Sequence, residues 1–75
     1  NNGDIMYPYS EKKCSYFIRT ADSKENIKNS FDTAVFLDPI DGENAFAVYG
    51  ITKKELDAGI AKLKNVITCA VFLED

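Results

Sequence analysis

The hydrophobic pattern changes period once in the second half of the chain, and that change predicts a helix running straight into a strand. Leu56, Ile60 and Leu63 recur at i, i+4 and i+7, the spacing of one helix face. Thr52 has the type and place of an N-cap, and Glu55, three residues on, completes a capping box. Ile51 and Leu56 stand at the two positions of a hydrophobic staple. Lys62 and Lys64 fall in the expected last turn, where cations favour the helix dipole, and Asn65 is the expected left-handed stop. From Val66 to Leu73 the sequence turns β-branched and apolar, a strand with little polar surface on either face.

The same reading predicts the elements upstream. Residues 14–20 are aromatic and β-branched, a first strand in which Arg19 faces solvent or pairs with a carboxylate. Asp22 or Ser23 caps a short helix over residues 24–30, anchored by Ile27 and Phe31. Residues 33–37 form a second strand and 45–49 a third, joined as a hairpin through the turn-rich residues 38–44 with Pro39 and Gly42 at the bends. Residues 1–13, without a period, read as a lead-in arm to a single domain over 14–75. The order strand, helix, strand, strand, helix, strand predicts an α+β fold. With right-handed crossovers it becomes the ferredoxin-like βαββαβ sandwich, a four-stranded antiparallel sheet with two helices on one face. The other face is expected to carry several of Tyr16, Phe17, Phe36, Phe46, Tyr49, Cys69 and Val71, the set depending on register. An exposed apolar sheet face implies a partner.

Composition narrows the partner. In 75 residues, 45% are apolar and 28% charged, a globular balance, and the net charge of −3 argues against nucleic acid or an anionic membrane surface. No apolar run is long enough to cross a bilayer. The first methionine is Met6, which suggests a piece of a longer polypeptide, a processed chain being the alternative. Cys14 near the start of the first strand and Cys69 near the middle of the last are expected several residues out of register. Both therefore read as reduced, which favours the cytoplasm.

Candidate chemistry is sparse. The chain has no histidine, no Cys-x-x-Cys pair and no glycine-rich phosphate loop. Asp38, Asp41 and Glu43 miss the spacing of a calcium loop and read as solvated turn residues. Ser10, Ser15, Ser23 and Ser30 have no base to activate them, and the tyrosines read as packing. No catalytic residue, metal site or cofactor is expected within this stretch.

Tyr16-Phe17-Ile18-Arg19 followed by Asp22, the Lys53-Lys54-Glu55-Leu56-Asp57-Ala58 helix and the final Val-rich strand resemble an ACT domain. The likeness, over roughly residues 14–75, is greatest to the C-terminal regulatory domain of homoserine dehydrogenases. The resemblance implies a non-catalytic regulatory or oligomerisation domain of an amino-acid biosynthetic enzyme. It implies side-by-side pairing into a homodimer, through the sheet edge or the sheet face, and a small amino-acid effector held between the first strand and first helix. Asp22, Ser23, Lys24, Glu25 and Asn26 are nearest that expected pocket. Lys24 and Glu25 stand where the family has Pro and Gly, so the family's threonine or serine response is not carried over. A stand-alone ferredoxin-like interaction module and an acylphosphatase-like hydrolase are the alternatives, the second lacking a phosphate-cradling loop after the first strand.

Overall fold

The computed structural model describes residues 11–74. Its elements are β1 (Lys13–Thr20), α1 (Lys24–Ser30), β2 (Val35–Ile40), β3 (Glu43–Thr52), α2 (Lys53–Ile60) and β4 (Val66–Glu74). All strand pairings are antiparallel, in the order β2-β3-β1-β4. Each helical connection therefore steps over one strand, and both helices pack on one face of the sheet, giving the ferredoxin-like sandwich. Of the expected lead-in arm, residues 1–10 lie outside the described residues, and Lys13 already belongs to β1.

The core lies between the two central strands and the helices. Ile18 of β1 and Phe46 and Val48 of β3 are fully buried against Ile27 and Phe31 at α1, Leu56 of α2 and Leu63 just beyond it. Burying side chains of this size contributes about 1.5–3 kcal/mol each. The Phe31 and Phe46 rings pack tilted, 5.6 Å apart. Gly59, in the last turn of α2, sits so close to Phe31 that a Cβ there would overlap the ring, which explains the glycine.

The start of α2 follows the sequence reading. Glu55 N–H donates to the Thr52 hydroxyl and Thr52 N–H to the Glu55 carboxylate, a complete capping box. Its end does not. The helix stops at Ile60, and Lys62 and Leu63 N–H close tight turns onto Gly59 and Ile60 carbonyls. Lys62 and Lys64 thus fall outside the helix, and Asn65 is not left-handed. The next two N–H groups, of Lys64 and Asn65, are captured by the Asp22 carboxylate.

The hairpin is tighter than the sequence reading placed it. β2 runs on through Asp38 and Pro39 to Ile40, which pairs with Glu43. Only Asp41 and Gly42 turn, with φ of 51° and 78°, the two positive values of a type I′ turn. A proline is tolerated because β2 is an edge strand and its register breaks between Leu37 and Ile40. β3 extends to Thr52 through a bulge at Gly50, φ 62°, whose N–H donates to Ser15 Oγ.

Register decides the faces. Tyr16, Phe36, Phe46, Cys69 and Val71 stand on the helix side, whereas Phe17 and Tyr49 stand on the open side with Val35 and Leu37. Tyr49 and Phe72, on strands either side of β1, meet edge-on at 5.7 Å.

Candidate functional site

The β1–α1 loop is built around Asp22, which is 3% exposed. Its Oδ2 accepts from the Thr20 hydroxyl at 2.7 Å, from Asn65 N–H at 2.9 Å and from Lys64 N–H at 3.0 Å. The Thr20 hydrogen bond, with the Asn65 and Lys64 amides and the Asn26 side chain, holds the carboxyl below its ordinary 3.8 although burial opposes this. Asp22 is therefore an anion that ties the loop before α1 to the loop before β4. Asn44 Nδ2 donates to the Asp22 carbonyl at 2.9 Å and adds the β3 start to the clamp.

The other four expected effector residues flank this clamp and are exposed. Ser23 is the N-cap of α1, its Oγ accepting from Asn26 N–H at 3.2 Å. Lys24 Nζ lies 5.5 Å from the Phe36 ring centre, a cation–π contact. Glu25 occupies the first turn of α1, where an acid suits the dipole. The five expected residues are consecutive in the chain, with Asp22 buried and the other four exposed. The sequence reading missed Thr20, Asn44 and Asn65 as partners of Asp22, because residues up to 43 positions apart share no local signal.

Arg19 pairs with carboxylates, the second of its two expected roles: its guanidinium meets Glu43 at 2.5 Å and Asp41 at 3.9 Å. Two of the three hairpin acids thus already face a cation. Among the described residues no three His, Cys, Asp or Glu side chains cluster as a metal site would need.

A cavity of about 520 Å³ opens between α2 and the β1–β4 pair, lined by Tyr16, Leu56, Ile60, Cys69 and Val71, with the Lys53–Asp57 ion pair at 2.6 Å beside them. Burial, and then Cys14, pushes the Tyr16 hydroxyl above its ordinary 10.0, and burial pushes the Cys69 thiol above 9.0. Both are neutral at physiological pH, so the cavity offers apolar contact rather than a nucleophile. Cys14 pairs with Glu74 and Cys69 with Ile18, and both cysteines are free, as their register requires. A second cavity, about 390 Å³, is lined by Phe31, Tyr49, Gly50 and Glu55 among others. The Asp22 loop lines neither.

Among the described residues, β4 is an edge strand with apolar side chains in solvent. Every residue from Ile67 to Leu73 is exposed, on both faces of the strand, because α2 packs against β3 and α1 and no element among the described residues covers this edge. No helix among the described residues is long and apolar enough to cross a membrane. No family model, curated protein or solved structure matches the chain.

Proposed function

We propose that this chain is a non-catalytic regulatory and oligomerisation domain of the ACT type, part of a cytoplasmic amino-acid biosynthetic enzyme such as a homoserine dehydrogenase. The observation that carries the reading is β4, among the described residues an edge strand with no charge from Val66 to Leu73 and with residues 67–73 exposed on both faces. A long apolar edge in water is a template for strand pairing, so a domain that presents one is built to associate. The ferredoxin-like frame and the Tyr16-Phe17-Ile18-Arg19 run with Asp22 support the family assignment.

The β1–α1 loop fits a secondary place in this function. Asp22 is committed to the fold, and a small amino acid bound there would contact the exposed Ser23, Lys24, Glu25 and Asn26 around it. Thermal-shift scanning against the twenty amino acids tests the sensor half, since a ligand of the native state raises the melting temperature with its concentration. A selective rise with threonine or a relative, lost in Asn26→Ala, would establish a working sensor. No rise with any of them, in a protein that still dimerises, would reduce the function to association.

A further inference from the structure

We propose that the cavity between α2 and the β1–β4 pair binds a free medium-chain monocarboxylate, with the carboxylate on Lys53 and the hydrocarbon tail along the sheet. This goes beyond the association reading and does not depend on it. The site lies on the helix side of β4, which leaves the open face of the strand for a partner.

The cavity, about 520 Å³, has the size of a small-ligand site. Tyr16 and Leu56 line it as buried residues, and Ile60 stands half-buried on α2. Cys69 and Val71 face it from β4 and are exposed, so among the described residues this apolar wall meets water. A hydrocarbon chain laid along the wall removes that surface from water.

Charge selects the head group. Lys53 and Asp57 line the cavity from α2, one turn apart and paired at 2.6 Å. Burial acts most strongly on the Tyr16 hydroxyl and the Cys69 thiol, and Lys53 acts against it on both by favouring negative charge. Asp57 opposes Lys53 at Cys69, but less strongly. The pair therefore presents a net positive potential to the cavity, which suits a carboxylate. An amine would instead have to displace Lys53 from Asp57.

The test titrates the full chain with decanoate below its micelle concentration and reads the rate at which a maleimide alkylates Cys69, the exposed one of the two cysteines. Mildly alkaline pH is used because burial raises that thiol. Decanol and decyltrimethylammonium, which share the chain and differ in the head, run alongside. The expected result is saturable protection of Cys69 by decanoate, with an affinity about tenfold above that for either of the others. Lys53→Gln should bring decanoate down to the level of decanol, whereas Asp57→Asn should tighten it. The i, i+4 pair contributes little to the helix, so both variants keep the fold, which circular dichroism checks. Equal protection by all three compounds would mean adsorption of hydrocarbon on β4 and would overturn the site. So would a decanoate affinity that ignores both substitutions, or alkylation of Cys69 that decanoate leaves unchanged. Self-association is read separately by sedimentation, so its failure and the failure of this site are distinguishable.

Discussion

Asp22 holds three separate donors while almost wholly buried, and removing it leaves the Lys64 and Asn65 amides without their acceptor. Hydrogen bonds to a charged group are worth about 1.5–3 kcal/mol, so Asp22→Ala should cost about 2–4 kcal/mol in chemical denaturation. The sign with pH follows from the lowered carboxyl. Its stabilisation is complete above the ordinary value of 3.8 and is lost as pH falls through the lower folded-state value. Wild type should therefore lose stability below about pH 3.8, while Asp22→Asn, already without the charge, should show a flatter acid limb in the same titration. The sequence singled out Asp22 through a family likeness, as an effector residue. Its clamp with Thr20 and Asn65 was not legible, since it exists only once β1 and β4 lie side by side.

Among the elements, α2 shows where local signals suffice and where they fail. Its N-terminus was legible because Thr52 and Glu55 form the capping box within four residues. Its C-terminus was not: beyond Ile60 the Lys62 and Leu63 amides close tight turns and the Lys64 and Asn65 amides go to Asp22, more than forty residues away in the sequence. The β2 end was misplaced for another reason: Pro39 reads as a turn residue, and an edge strand accommodates it. Gly59 gives an element-level prediction. In an exposed helix Gly→Ala stabilises by about 1 kcal/mol. Here the added methyl meets the buried Phe31 ring, so Gly59→Ala should instead destabilise by about 1–3 kcal/mol in urea unfolding. At the hairpin, Gly42→Ala meets open space but must adopt φ near +78°, and should cost about 1 kcal/mol on the same measurement.

For the whole molecule, the order of strands and helices was enough to give the topology, because right-handed crossovers leave few ways to connect it. The assignment of side chains to faces was not, because bulges at Gly50 and at Phe72 shift the alternation between strands. That shift carries Cys69 and Val71 to the helix side while Tyr49 and Phe72 meet on the open side. Apolar residues therefore line both faces of β4, next to an edge that no strand among the described residues covers. The proposed self-association would cover all three surfaces at once. Sedimentation equilibrium of the unmodified chain over a wide concentration range tests this most directly. The expected result is a weight-average mass that climbs from one copy to two and stops there. A mass that stays at one copy up to about 1 mM, weaker than any specific pairing, would contradict it.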